Sequence, residues 1–244
     1  MTFEKIIGKI SRTIAALIVF LIAANFYLSF KGFGWVNGEL VLVSEAQAKD
    51  NSAALAKRYE GLSTKTASFE VNDAYVLGDK NAPVTIYELS SLGCSHCADF
   101  HLQTLPKLKA DYIEGGKLKV IFADFPIDQK SMKAAMLARC MPEDKYFDFL
   151  SLLFKKQMSW GMSFKTERLL IGYAEMEGMS ASRAKECMED DKVAQELIYI
   201  RQQGMEKLGI QGTPSFLIRS AEKEEVIQGV PSYEKLKTII DNYI

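Results

Sequence analysis

The sequence predicts an α/β fold whose sheet-bearing domain is interrupted by an all-helical subdomain. Residues 83–125 run strand, helix, strand with short turns, residues 130–190 carry helical signals alone, and a helix, a hairpin and a terminal helix complete the chain. Strand, helix and strand in close succession make a βαβ unit, so the first two strands are expected to be parallel.

The N-terminus comes first and sets the compartment. Lys5, Lys9 and Arg12 precede Thr13–Phe30, an uncharged stretch of 18 residues. At about 1.5 Å per residue such a helix spans roughly 27 Å, enough to cross a hydrocarbon core or to act as the apolar part of an export signal. Positive charge ahead of the stretch holds the N-terminus on the cytoplasmic side, so everything downstream is expected to be exported. Ala46-Gln47-Ala48 fits a cleavage rule, while Tyr27 and Trp35 suit the outer interface of an uncleaved anchor. A buried core helix is the third reading of the stretch. Residues 1–48 are therefore an export signal or membrane anchor, and the polar run 49–70 is a linker or stalk.

The folded body begins at residue 71. Pro83-Val-Thr-Ile-Tyr-Glu-Leu89 follows a turn signal at Gly78-Asp-Lys-Asn-Ala and reads as a strand. Leu102, Leu105, Leu108 and Ile113 recur at helical spacing before Gly115-Gly116, on a helix that begins near Cys94. Lys117–Phe125 is the second strand. The insertion, residues 128–191, carries four helical stretches over 132–140, 146–157, 166–175 and 180–188, the last with Ser180 as N-cap. The second part of the sheet domain, 192–244, has a helix from Val193 to Leu208 closed by Gly209, a hairpin of 214–219 with 225–228, and a final helix from Ser232 to Tyr243.

Bulk composition narrows the function. With 48% hydrophobic residues the chain is an ordinary globular one, and a net charge of −1 with pI near 6.2 gives no pull on nucleic acid. Four cysteines are too few for a disulfide scaffold and leave three possible pairings.

The chemistry concentrates at Gly93-Cys94-Ser95-His96-Cys97. A strand-to-helix turn puts Cys94 at a helix N-terminus, where unpaired amides and the helix dipole favour a thiolate and His96 adds a donor or positive charge. Cys97 lies one turn on along the same face, within disulfide reach. That geometry suits reversible dithiol–disulfide exchange. Two rivals stand beside it: a purely structural disulfide, and a zinc site using Cys94, Cys97 and His101, which lacks an evident fourth ligand. Glu88 sits in a strand whose neighbours suggest burial on both faces, where a carboxylate is costly unless it handles protons or is paired; a solvated strand end is the alternative. Thr213-Pro214 precedes the strand 215–218, and the dipeptide alone does not decide its isomer.

Glu88, Cys94-Ser-His-Cys97, Asp124-Phe-Pro126, the helical insertion and Gly212-Thr-Pro214-Ser-Phe216 together resemble the DsbA type of bacterial thiol:disulfide interchange protein, over residues 71–244. The resemblance implies a thioredoxin-like fold with a helical insertion and no cofactor or metal. It implies that Cys94 is the exposed nucleophile, Cys97 the buried resolving cysteine, His96 a stabiliser of the Cys94 thiolate, Glu88 a buried acid near Cys97, and Thr213-Pro214 a cis-proline loop against the disulfide. Ser95 stands where the best-known members carry proline. Similar alpha-proteobacterial members carry a second, non-catalytic disulfide in the insertion, which here implies Cys140–Cys187; two buried free thiols are the alternative. The implied partners are reduced or misoxidised exported proteins, a membrane redox partner that resets the pair, and the inner membrane itself if the N-terminal segment stays. The expected location is the bacterial periplasm. An oxidase is the first reading. An oligomeric isomerase or reductase using the same residues, a metal-handling protein and a non-catalytic thioredoxin-like module are the others.

Overall fold

In a computed structural model of the chain, residues 33–36, 39–42, 69–71 and 75–244 are described. The apolar stretch Thr13–Phe30, the Ala46-Gln47-Ala48 site and nearly all of the linker lie outside them. Among the described residues no helix is long and apolar enough to cross a membrane. The chain divides into two compact units, Met1–Gly61 and Leu62–Ile244. Of the first, the described part is an antiparallel pair, β1 (Phe33–Val36) with β2 (Glu39–Leu42), which the sequence pattern does not mark.

The second unit is a five-stranded mixed sheet with helices on its faces. Its strands are β3 (Val76–Leu77), β4 (Val84–Ser90), β5 (Leu118–Asp124), β6 (Ser215–Arg219) and β7 (Glu224–Gln228), in spatial order β3-β5-β4-β6-β7. The central strands β4 and β5 are near-continuous apolar runs, the pattern of strands covered on both faces, and they pair in parallel from Val84 opposite Leu118 to Ser90 opposite Asp124. β6 runs antiparallel to β4, and β7 antiparallel to β6. The two-residue β3 was too short to show any periodicity; it pairs antiparallel with β5.

Between β4 and β5 one continuous helical path covers 95–113. It consists of α1 (Ser95–Asp99), a π-helical turn (Phe100–Thr104), α2 (Leu105–Leu108) and a second π-helical turn (Lys109–Ile113). Pro106 has no N–H to donate and its ring crowds the carbonyl four residues back, which accounts for the departure from α geometry just before it.

The insertion comprises α3 (Gln129–Arg139), α4 (Glu143–Lys155), α5 (Gln157–Gly161), α6 (Thr166–Met176) and α7 (Ala181–Met188). α3 starts on a capping box in which the Asp128 side chain accepts from the Ser131 amide and Ser131 returns to Asp128. The chain then re-enters the sheet domain through α8 (Asp191–Leu208), capped by Asp190 and closed by Gly209 in the left-handed conformation at φ 65°, and ends in α9 (Tyr233–Tyr243).

Three apolar clusters follow from this layout. Alternation along β4 sends Val84 and Ile86 to one face, with Phe100, Leu108, Phe216 and Ile240, and Tyr87 and Leu89 to the other, with Ile121, Phe125 and Leu217. The third cluster fills the insertion around Tyr146, Phe149 and Trp160, and reaches Leu92, Cys97 and Phe122. The insertion is thereby packed onto the C-terminal ends of the parallel strands.

Candidate active site

β4 ends at Ser90, and the turn Ser91-Leu92-Gly93 delivers the chain to α1. The Cys94 amide donates to the Ser91 carbonyl at 3.0 Å and the Ala98 amide to the Cys94 carbonyl at 3.1 Å, so Cys94 is the N-cap residue of the helix. A side chain at position 93 would meet Ser131 and Asp128, its Cβ lying 3.1 Å from the Ser131 Cβ, a tight approach that those side chains would have to yield to. From the insertion, the buried Gln157 amide donates to the Leu92 carbonyl at 2.7 Å and the Cys94 carbonyl at 2.9 Å. Gln157 thus ties α5 to the cysteine turn, and no local sequence pattern announces that contact.

Cys94 and Cys97 are in the dithiol form. The Cys94 sulfur is half-buried and lies 3.4 Å from the Thr213 carbonyl; the Thr213–Pro214 peptide is cis. The Cys94 thiol is pulled down to about 5. The largest cause is a hydrogen bond from the Cys97 thiol, followed on the same side by one from the Thr213 side chain and by the backbone amides of Cys97 and His96, with partial burial opposing. The His96 ring stands exposed, and it is the residue's backbone amide that faces the sulfur. Cys97 is 0% exposed, and burial first, then the hydrogen bond it gives to Cys94, push its thiol far up. One sulfur is therefore an accessible anion and the other a buried thiol.

A buried polar group lies at the ends of the central strands. Glu88 is 0% exposed, neither carboxyl oxygen has a hydrogen-bond partner among the described residues, and burial raises its carboxyl to about 8. Opposite Ser90 on β5 sits Asp124, which accepts from the Arg139 Nε of α3 at 2.8 Å. Burial lifts the Asp124 carboxyl above its ordinary range and Arg139 opposes that lift, while the guanidinium itself is held charged; the pair is ionic. The Tyr146 hydroxyl from α4 lies in the same region, buried and without a hydrogen-bond partner among the described residues. Sequence reasoning named Asp124 only within a motif and did not reach Arg139, Tyr146, Ser90 or Gln157.

The remaining residues separate from the turn. His101, buried and pushed down to about 4, contacts the Ser151 hydroxyl at 3.0 Å on α4. It belongs to the helix–insertion packing. No group of three or more His, Cys, Asp or Glu side chains with a metal-holding arrangement occurs among the described residues. Cys140 and Cys187 form a disulfide joining the end of α3 to α7, with Cα atoms 6.1 Å apart.

A βαβ unit with a cysteine pair at the helix N-terminus and a cis-proline loop against it defines a dithiol protein of the thioredoxin class. The thioredoxin family profile matches residues 70–242, and the chain belongs to that family. Within the family it is of the DsbA type. It is 30% identical to the solved alpha-DsbA1 of Wolbachia pipientis, with a TM-score of 0.67 over 72% of this chain and 93% of that one. Against the oxidised BdbD of Bacillus subtilis the identity is 25% and the TM-score 0.63, over 71% and 94%. A Rickettsia typhi protein named as a protein-disulfide oxidoreductase is 30% identical over 163 residues, 66% of this chain and 60% of that protein. The match therefore spans about three fifths of the length of that relative.

Proposed function

We propose that the chain is an exported thiol:disulfide oxidoreductase that introduces disulfide bonds into periplasmic proteins through Cys94 and Cys97. The carrying observation is the asymmetry of the pair: Cys94 accessible and held as a thiolate, Cys97 buried and held as a thiol. A thiol with a pKa near 5 is a good leaving group, so the reduced form is stabilised and the disulfide is an oxidant. The names of the Rickettsia relative and of the DsbA structures support the same reading.

The reaction runs from the oxidised pair. A client thiolate attacks the Cys94 sulfur, Cys97 leaves, and a mixed disulfide joins the client to Cys94. The client's second thiolate then attacks its own sulfur in that bond, releasing Cys94 as a thiolate. Two electrons pass from client to protein. The Thr213 carbonyl and side chain line the sulfur that carries the mixed disulfide. Met158 and Met162, 72% and 74% exposed, follow Gln157 on the insertion and offer an apolar bed for an unfolded client. The basic residues ahead of the apolar stretch Thr13–Phe30 support a domain outside the cytoplasmic membrane, where a membrane redox partner would reset the pair.

Cys94→Ser is expected to abolish oxidation of a reduced test protein; full activity in that variant sinks the proposal. The reduction potential fixes the direction. A value near about −120 mV is that of an oxidase and one near about −270 mV that of a reductase.

A further inference from the structure

The insertion carries an open cleft of about 540 Å³ between the start of α3 and the start of α6. Lys130 and Lys133 line it from α3, and Phe164, Lys165, Glu167 and Arg168 line it from the loop and first turn of α6. Lys130 makes the join between the two walls: its Nζ donates to the Gly161 carbonyl at 2.7 Å and to the Ser163 carbonyl at 2.9 Å. Lys133 pairs with Glu167. Lys165 and Arg168 are exposed and, among the described residues, their side chains have no ion pair or hydrogen bond. Four cations against one carboxylate leave the cleft with a positive field. The N-terminus of α6 opens into it without a side-chain cap, and its dipole adds to that field.

Two further observations give the cleft a use. Phe164 stands fully exposed at its edge, on the stretch that carries the exposed Met158 and Met162. An exposed aromatic side chain that continues an apolar patch and borders uncommitted cations is the makeup of a surface that takes up a partner segment. The cleft also borders the cysteine turn, because the residues that open α3, Asp128 and Ser131, lie against Gly93.

We propose that this cleft is a specificity site for an acidic segment of the client, whose carboxylates pair with Lys165 and Arg168 while an apolar neighbour packs on Phe164. This rests on the exchange function proposed above, since the client is the chain held beside the turn in the mixed disulfide. The selection is by sign of charge: an acidic segment gains ion pairs, and a basic one is repelled by both uncommitted cations. Because these cations are exposed, the selection acts on docking and weakens with salt.

The test uses the full chain and peptides that share one dithiol core and one phenylalanine but carry acidic, neutral or basic flanks. Serine-for-cysteine versions report binding by fluorescence anisotropy, and the dithiol versions report single-turnover oxidation by the oxidised chain. Exposed ion pairs are each worth less than a factor of ten, so the acidic peptide should bind about tenfold tighter than the neutral one at about 0.02 M salt. That preference should shrink severalfold at about 0.3 M salt. Lys165→Ala/Arg168→Ala should bring the ratio of the two affinities to within about twofold of unity, and Lys165→Glu/Arg168→Glu should favour the basic peptide. Phe164→Ala should weaken all the peptides alike, since the apolar contact is blind to charge. Equal binding of acidic and neutral peptides by the wild type, or an acidic preference that survives in Lys165→Glu/Arg168→Glu, overturns the proposal. So does binding of phosphatidylglycerol vesicles that Lys165→Ala/Arg168→Ala abolishes while the peptides bind alike, which assigns the cleft to a membrane surface. Failure to oxidise any of the dithiol peptides, with the anisotropy preference intact, overturns the exchange function and leaves the cleft its acidic ligand.

Discussion

The Cys94 sulfur collects donors from two directions, the helix N-terminus with its neighbouring thiol and the Thr213 side chain of the cis-proline loop. These donors stabilise the anion and outweigh the hydrogen bond that the thiol itself gives to the Thr213 carbonyl, so the thiolate is the resting state at neutral pH. Alkylation of Cys94 in the reduced protein is therefore expected to titrate with a midpoint near pH 5 and to be flat from pH 7 upward. Thr213→Val removes one donor and should move the midpoint up, and a wild-type midpoint at 8 or above contradicts the assignment. The cysteine turn was legible because its chemistry is local: a strand, a glycine turn and a helix start are contiguous in sequence. What the sequence could not show is which groups meet the sulfurs from afar. His96 looks like the thiolate's partner by proximity, yet its backbone faces Cys94 while its ring is exposed. Ser90 and Gln157 carry no motif at all.

At the level of elements, the insertion is a clamp on the strand ends as well as a lid of helices. α5 grips the cysteine turn through Gln157, and α3 grips β5 through Arg139 and Asp124. Gln157→Leu leaves two carbonyls of the turn without their donor, and should speed amide exchange at Ser95, His96 and Cys97 and cost about 1–3 kcal/mol in denaturant unfolding. Unchanged exchange there would show that the turn does not depend on the insertion. Arg139→Met strands a buried carboxylate and is expected to cost about 3–5 kcal/mol, whereas Arg139→Met with Asp124→Leu should recover much of the loss. Equal losses in the single and double variants would argue against a buried ion pair. The longer helices and the central strands were readable from periodicity and apolar runs. The two-residue β3, the five-residue α5 and the π-helical turns were not, because each is shorter than one period of signal or is set by packing and by Pro106.

Across the whole molecule two covalent and ionisable features set stability in different ways. The Cys140–Cys187 bridge closes a loop of 47 residues, and simple loop-closure arithmetic assigns it about 4 kcal/mol through the unfolded chain. Cys140→Ser/Cys187→Ser should lower stability by up to that amount and leave the Cys94 alkylation profile in place, since the bridge lies in the insertion. The pH dependence involves the active pair. Glu88 has a folded value near 8 against an ordinary 4.5, so its contribution is full below about 4.5 and is lost as pH rises towards 8. Cys94 has a folded value near 5 against an ordinary 9.0, so its contribution is full above about 9 and is lost as pH falls towards 5. The two slopes oppose each other in the reduced protein. In the oxidised protein Cys94 no longer titrates and only the Glu88 slope remains. The stability of the reduced form relative to the oxidised form should therefore grow steadily between pH 5 and 9, measured as the difference in Tm of the two forms. Because stabilising the reduced form is the same free energy as strengthening the disulfide as an oxidant, a Tm difference that stays constant with pH would remove the thiolate as the source of oxidising power.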